Sequence, residues 1–222
     1  MRVHRPRLGV PFAYIHFFAG GQPAALSLPA AGSSASAASG GTTVSGGGSV
    51  VGTWKATTGS QAGYRVSEVL LGQKTTAVGR TSSVAGTMTI SGTTLTATTI
   101  DVDLRTVKSD KSQRDAQFQG RLMDTATYPT AVFTLTGPVD LAPLPAVGVD
   151  RSYTAKGTLS MHGQTHPVVL KLTAERSGAQ VEVAGSIQIT FATWGIANPS
   201  FGSFVTTGNT GTMEYLLVFT HA

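Results

Sequence analysis

Hydrophobic and polar side chains alternate along most of the chain beyond Trp54, which is the pattern of β-strands that bury one face. In the segment 100–104, for example, Ile100, Val102 and Leu104 alternate with two aspartates. The same alternation recurs in five further segments: 88–90, 133–135, 168–172, 187–191 and 213–219. Turn-forming pairs such as Ser91-Gly92, Gly137-Pro138 and Ser177-Gly178 separate these segments. The pattern therefore predicts about eight strands with short connections and an all-β fold.

Eight antiparallel strands with one apolar face each close into an up-and-down barrel or stack as a sandwich. An eight-stranded barrel is wide enough to enclose a small ligand. Several positions expected to face inward carry small residues that would leave such room, namely Ala97, Ala155, Gly157 and Ala184.

The segment 109–129 breaks the alternation, because charged residues gather there in a chain that is only 12% charged. Asp110 followed by Gln113 is a variant of the capping box that begins a helix. Gly120 is a residue type that commonly follows the last turn of a helix. We therefore predict one short helix near residues 110–120 that packs Phe118 on the barrel.

Arg114 and Asp115 are adjacent, so on a helix their side chains point about 100° apart and do not form one acid–base pair. Arg114 also lies four residues after Asp110, which favours an ion pair along the helix. Two interpretations remain open: these charges hold the helix on its neighbours, or Arg114 contacts a ligand head group at the mouth of the barrel. The sequence predicts no catalytic residue, since no nucleophile, base and orienting acid are assembled by a motif.

His162 and His166 have the H-x3-H spacing of a helical zinc site, but Pro167 excludes a helix here. A structural turn, a polar contact to a ligand and a shared metal stay open as interpretations, with no third metal ligand apparent. The stretch FATWGIANPSFG (191–202) is typical of an irregular crossing, and it is a candidate for lining an entrance. Trp194 in this stretch is either a buried packing residue or part of that entrance.

The first 50 residues differ from the rest of the chain. Residues 1–20 combine three arginines with an apolar run of about 13 residues, too short to span a bilayer alone but typical of a secretory signal or part of a membrane anchor. Residues 21–50 are rich in Gly, Ser and Ala and predict a disordered linker. The folded domain is predicted over 51–222, where basic residues exceed acidic ones by only two, so nucleic-acid binding has no support. The chain has no cysteine and therefore no disulfide.

Several motifs together resemble the YceI family of lipocalin-like, polyisoprenoid-binding-type bacterial proteins. They are GTW at 52–54, GRTSSVAGTMTI at 79–90, SDKSQRDAQF at 109–118, YPTAVF at 128–133 and GTLSMHGQTHPVVL at 157–170. The stretch GYRVSEVLLG at 63–72 departs from many members, which carry a histidine-containing strand there. In this respect the chain resembles the family variant in which the domain follows a membrane anchor. Because the histidine is missing here, a head-group role for it is in doubt.

The resemblance implies an eight-stranded antiparallel barrel with an apolar interior and one short helix. It further implies an exported, non-enzymatic protein that sequesters or carries a polyisoprenoid, a quinone or a similar amphiphile, in some members during stress responses. Eleven residues are candidates for contacting the lipid: Phe118, Phe133, Leu135, Tyr153, Leu159, Leu170, Ile189, Phe191, Arg114, His162 and Trp194.

Beyond the lipid, the sequence predicts no cofactor and no metal. It predicts a location outside the cytoplasm, secreted or anchored, with contact to a membrane surface through the N-terminal segment. The oligomeric state stays open, a dimer included. Two alternatives also stay open: a structural or sensory exported domain with a filled barrel, and a hydrolase that uses His162 or Asp115.

Overall fold

The computed structural model of the chain describes residues 22–29 and 49–222. The predicted membrane segment 1–20 and most of the predicted linker lie outside these described residues. Within them, no helix is long and apolar enough to cross a membrane.

The domain is built from antiparallel strands, with short helical turns between some of them. The strands are β1 (Gly52–Ala56), β2 (Gln61–Leu70), β3 (Gln73–Thr81), β4 (Val84–Ser91), β5 (Thr94–Asp103), β6 (Lys108–Ser109), β7 (Thr130–Leu135), β8 (Val139–Asp140), β9 (Arg151–Met161), β10 (Gln164–Ser177), β11 (Gln180–Thr190), β12 (Val205–Thr207) and β13 (Thr210–His221). The helical elements are a 3₁₀ turn (Leu104–Thr106), helix α1 (Ser112–Gln117), a π turn (Phe118–Leu122) and a second 3₁₀ turn (Phe191–Trp194).

These strands form a closed eight-stranded barrel, which confirms the predicted fold. Five of the eight are bent or interrupted, so that β1 continues into β2, β3 into β4, β5 into β6, β7 into β8 and β12 into β13. The order around the barrel then follows the chain, and β13 closes it by pairing with both β1 and β2. Since every neighbour is sequential and antiparallel, this is an up-and-down barrel.

The barrel has two distinct ends. At the helix end lie α1, the tips of the β2–β3 and β9–β10 hairpins, and residues 191–204. At the far end lie the tips of the β4–β5 and β10–β11 hairpins and residues 141–150. The hydrophobic core is divided accordingly: one cluster surrounds Trp194 at the helix end, one surrounds Trp54 towards the far end, and a smaller one lies at Leu170.

Two of the four small residues expected to face inward do not do so. A register shift between β4 and β5 at Thr89/Ile90 turns Ala97 outward, where it is exposed. Ala184 is buried, but it alternates with the inward-facing Val183 and so lies on the outer side of the wall. Ala155 faces inward as predicted.

The helix is placed where the sequence predicts it, but both of its ends differ from the prediction. Lys111 rather than Asp110 precedes α1, and no side chain caps it. Asp110 instead pairs with Arg114, and Asp115 accepts hydrogen bonds from the Ser109 N–H and hydroxyl, both at 2.7 Å. Gly120 does not end the helix, because the chain continues through it as the π turn.

Residues 22–29, which we call the strap, lie against the outer wall of the barrel rather than in a linker. Glu214 on β13 alternates with the inward-facing Met213 and Tyr215, so its carboxylate lies on the outer side of the wall although the residue also borders the cavity, and it is only 3% exposed. Its carboxylate pairs with Arg65 (2.9 Å) and Arg80 (2.6 Å) and accepts the N–H of Leu26 in the strap at 3.2 Å. The same two arginines donate to the carbonyls of Pro23 and Ala24. A fixed ion-pair cluster therefore holds the strap to the wall.

Candidate lipid-binding cavity

The barrel encloses a cavity of about 1190 Å³, lined mainly by hydrophobic side chains. Its wall runs from Val50 and Leu141 at the far end to Leu70 and Phe204 at the helix end. A volume of this size is somewhat above the roughly 300–1,000 Å³ typical of small-molecule sites. The interior is therefore large enough for a long apolar chain along the barrel axis.

Nine of the eleven residues predicted from the sequence line this cavity. They are Arg114, Phe118, Phe133, Leu135, Tyr153, Leu159, Leu170, Ile189 and Phe191. Period-2 alternation brings most of them together, because every second residue of a strand faces the interior. Arg114 and Phe118 reach the cavity from α1 and the π turn.

His162 and Trp194 are the two predicted residues that do not line the cavity. The ring Nδ1 of His162 lies 2.9 Å from the carbonyl oxygen of Trp194, and Nε2 of His166 lies 2.9 Å from that of Thr193. Trp194 itself is only 3% exposed, and the ring of His166 packs edge-on against it. The two histidines thus attach the 3₁₀ turn after β11 to the β9–β10 hairpin.

The two imidazoles do not form a metal centre with a third ligand. In residues 22–29 and 49–222, no three histidine or carboxylate side chains are close enough to hold a metal ion together.

A polar cluster lies inside the helix end of the cavity. The Arg114 Nη2 lies 3.1 Å from Oε1 of Glu68, and the same guanidinium pairs with Asp110. Glu68 and Arg114 both line the cavity, and Glu68 is only 8% exposed. Arg114 therefore holds α1 against β2 and also lines the interior, and its contact with a ligand head group stays a prediction.

Glu68 is a site residue that the sequence analysis did not identify. The signal was present, because Tyr64, Val66, Glu68 and Leu70 alternate along β2 in the inward register. A carboxylate among such positions is rarely buried without a cation partner. Here that partner is Arg114, which lies 46 residues away in the sequence.

Glycines on neighbouring strands let aromatic rings lie flat along the cavity wall. An added Cβ at three inward-facing glycines would lie 2.3–2.4 Å from an aromatic side chain: Tyr64 beside Gly79, Phe133 beside Gly157 and Tyr215 beside Gly185. Each ring occupies the space that a side chain would otherwise fill. At Gly157, a small residue thus makes room for Phe133 and not for a ligand. The arrangement keeps large aromatic residues on the wall while the centre of the barrel stays open.

Two of these three aromatic residues are tyrosines, and both lie in an apolar environment. Burial raises the pKa of both Tyr64 and Tyr215, so both hydroxyls stay protonated at neutral pH. The Tyr64 ring stacks on Phe118 with centroids 5.1 Å apart. The hydroxyl oxygen of Tyr215 is fully buried and has no hydrogen-bond partner among the described residues. An unpaired hydroxyl of this kind lowers the stability of the fold.

Comparison with known proteins agrees with this architecture. The family model of the YceI-like domain matches residues 54–219. A polyisoprenoid binding domain from Saccharophagus degradans, implicated in plant cell wall breakdown, superposes with a TM-score of 0.63 at 20% identity, over 76% of this chain and 98% of that chain. BcnA of Burkholderia cenocepacia superposes with a TM-score of 0.54 at 18% identity, over 70% and 95% of the two chains. At these identities the likeness establishes the fold alone. A search of the curated proteins finds no match.

Proposed function

The chain belongs to the family of YceI-like domains, and from that premise we propose that it binds a lipid inside its barrel. The ligand is a polyisoprenoid, a quinone or a similar amphiphile, which the protein sequesters or carries. The observation that supports this most directly is the apolar cavity of about 1190 Å³ inside a closed barrel. The similarity to a polyisoprenoid binding domain adds support for the class of ligand.

Burial of the apolar tail supplies the binding energy. Each buried methylene contributes about 0.8 kcal/mol, so ten of them contribute about 8 kcal/mol. A net binding free energy of that size corresponds to a dissociation constant of about 1 µM. The cavity needs no strong polar contact to reach this range, although ordering a long flexible chain offsets part of the gain.

The polar cluster at the helix end favours an uncharged head group. The guanidinium of Arg114 is shared between Glu68 and Asp110, so these three groups together carry a net negative charge, and Lys111, which also lines this end of the cavity, balances it without making the end cationic. A phosphate placed beside it would meet two carboxylates. An alcohol or a quinone carbonyl needs only one of the N–H donors that Arg114 keeps in addition to its two ion pairs.

We also propose that the protein acts outside the cytoplasm, secreted or anchored, with a role in lipid handling that extends to stress responses. The basic and apolar composition of residues 1–20 supports export, as does the resemblance of the chain to exported family members. Protease treatment of intact and of osmotically opened host cells tests this location. Protection of the barrel domain until the cytoplasm is opened would contradict it.

The binding function is tested by filling the cavity from within. Ala155 lines the cavity and is only 3% exposed, so Ala155→Phe places a ring in the ligand space. Val169→Phe is the matched control, because Val169 lies on the outer wall and is 55% exposed. Native mass spectrometry of protein from its own host should find one lipid per chain in the wild type and in the control, and little in Ala155→Phe.

Absence of lipid from the wild type, together with no uptake of added polyprenols or quinones, would refute the proposal. The filled-barrel alternative would then hold, although the open cavity weighs against it. Loss of a measured hydrolytic activity in His162→Ala or Asp115→Ala, with folding intact, would favour the hydrolase alternative. In the structure these residues hold a turn and a helix in place.

A further inference from the structure

Three exposed hydrophobic residues lie at the opening of the cavity at the helix end. Leu71, Phe201 and Phe204 are 48%, 59% and 58% exposed, and all three also line the cavity. The other large hydrophobic side chains exposed to this degree in the described ranges lie away from the cavity. We call these three residues the lip.

The lip is one surface built from two segments. Leu71 is at the tip of the β2–β3 hairpin, and its N–H donates to the carbonyl of Phe204 at 2.9 Å. Phe201 and Phe204 lie in the segment that leads into β12, which itself pairs with β2. Neither 69–73 nor 199–207 contains a charged residue. The side of the opening that these two segments form is thus uncharged and apolar, whereas Lys111 and Arg114 line the cavity on the α1 side of the same end.

Leu71 has a backbone conformation that a leucine rarely adopts. Its φ is +50° and that of Gly72 is +83°, which is the two-residue turn in which asparagine or aspartate normally precedes glycine. A leucine at this position is unfavourable both for the backbone and for its exposure to water. Local folding therefore does not explain why the side chain is apolar.

We propose that the lip docks on a lipid bilayer, so that the ligand passes between membrane and cavity without crossing water. The inference rests on the proposed lipid-binding function. It commits to a membrane because the patch is continuous with the opening through which an apolar ligand must leave. Phenylalanine and leucine insert readily at the boundary between head groups and acyl chains.

Charge near the lip favours a membrane over a second copy of the chain. Lys74 is the second residue of β3, the strand that leaves the hairpin, and Arg121 donates to the carbonyl of Asn198, close to Phe201 in the sequence. A two-fold dimer through the lip would bring the same cations of both copies together. An anionic bilayer surface attracts them instead.

The test uses the full chain, which contains no cysteine, so single cysteines can be labelled selectively. Ser203→Cys places a fluorophore within the lip, and Ala179→Cys places one on the β10–β11 hairpin at the far end. Vesicles of phosphatidylethanolamine and phosphatidylglycerol with brominated acyl chains should quench the first label and not the second. Because the label reports the depth of Ser203 itself, binding through residues 1–20 does not produce this contrast.

Two sets of substitutions remove the lip. Phe201→Ser with Phe204→Ser should abolish the quenching at position 203 and lower the rate of lipid transfer from vesicles about tenfold or more. Leu71→Asn should weaken both signals while it keeps or raises thermal stability, because asparagine suits the turn. Val169→Ser, on the exposed side wall, is the control and should change neither signal.

Lipid loading from cyclodextrin, in the absence of vesicles, tests lipid binding in the cavity separately from docking of the lip on a bilayer. Normal loading without quenching at position 203 would overturn the docking surface and leave the proposed function intact. Quenching that survives the double substitution would also overturn it, as would a dimer in sedimentation that depends on Phe201 and Phe204. Failure to load lipid from any donor refutes the proposed function, and lip-dependent quenching would still support docking.

Discussion

Replacing Gly79 by alanine tests whether the aromatic residues must lie flat on the wall. A Cβ at this position would be 2.3 Å from Cε1 of Tyr64, whereas ordinary contacts begin near 3.4 Å. The Tyr64 ring must therefore retreat by about 1 Å. Its other face is already stacked on Phe118 with centroids 5.1 Å apart, so both rings have to shift.

We expect Gly79→Ala to lower the free energy of unfolding by about 1–3 kcal/mol, the usual range for overpacking. In a domain of this size each 1 kcal/mol lowers Tm by about 2–4 °C. The displaced ring also narrows the helix end of the cavity. Loss of one or two methylene contacts there weakens binding of a long ligand about four- to fifteenfold.

Thermal unfolding of lipid-free protein and titration with a fluorescent lipid measure the two effects. Gly137→Ala is the matched control, because its Cβ would meet no atom within 4 Å and its φ is ordinary. Tyr64→Leu should restore part of the stability of Gly79→Ala, with a coupling energy of at least 0.5 kcal/mol. Equal effects of the two glycine substitutions, or strictly additive effects of the two changes, would refute the reasoning.

Three further predictions concern buried polar groups. Tyr215→Phe should raise the free energy of unfolding of the lipid-free protein by about 1–2 kcal/mol in urea denaturation, because it removes an unpaired buried hydroxyl. Glu214→Gln should lower it by about 2–4 kcal/mol, since Arg65 and Arg80 would lose their shared anion, and the Leu26 amide should lose its protection from hydrogen exchange. Burial raises the pKa of Tyr64 and Tyr215, so the unfolded chain releases these two protons at a lower pH than the folded protein does. The free energy of unfolding should therefore be at its full value below about pH 10 and fall as the pH rises further. Circular dichroism recorded against pH measures this loss.

Each of these three predictions has a control or a result that would contradict it. A Tyr215→Phe variant that is less stable than the wild type would show that the hydroxyl has a partner in solution. The exposed pair of Asp103 and Arg105 is the control for Glu214, and Asp103→Asn should cost less than about 1 kcal/mol. A Tyr64→Phe, Tyr215→Phe double variant that loses stability above pH 10 as steeply as the wild type would contradict the assignment of the alkaline effect.

The alternation of hydrophobic residues was sufficient to predict the strands and most of the residues that form the wall, because in a strand each residue's face is decided by its position. The choice of a barrel over a sandwich came from the family resemblance. Ile100 and Leu170 are buried on the predicted face for this reason. The prediction is wrong at Ala97, where the register shift between β4 and β5 moves the residue to the other face. Hydrophobic periodicity along one strand does not predict such a register shift, because the shift depends on how two strands pair.

Hydrophobic periodicity also does not predict where the helix ends or which residues pair across a long stretch of sequence, because both depend on tertiary contacts. Asp110 has the right spacing both to cap the helix and to pair with Arg114, and of these two predictions only the ion pair is confirmed. Gly120 is a good terminator in isolation, yet packing of Phe118 and Leu122 on the helix-end cluster accompanies its inclusion in the π turn. The strap is the extreme case, because Leu26 and Glu214 are 188 residues apart and the local composition predicts a linker.

The strap binds the outer wall of its own chain, as an intramolecular ligand would. Residues 30–48, which lie outside the described residues, join it covalently to the barrel, and the sequence predicts a linker there because the stretch is rich in Gly, Ser and Ala. A linker of this kind gives a tethered segment an effective concentration in about the millimolar range. A free peptide with the sequence of residues 22–29 would therefore have to reach similar concentrations to displace the strap. By the same relation, inserting or deleting residues within 30–48 changes how often the strap is docked, although neither binding surface is altered.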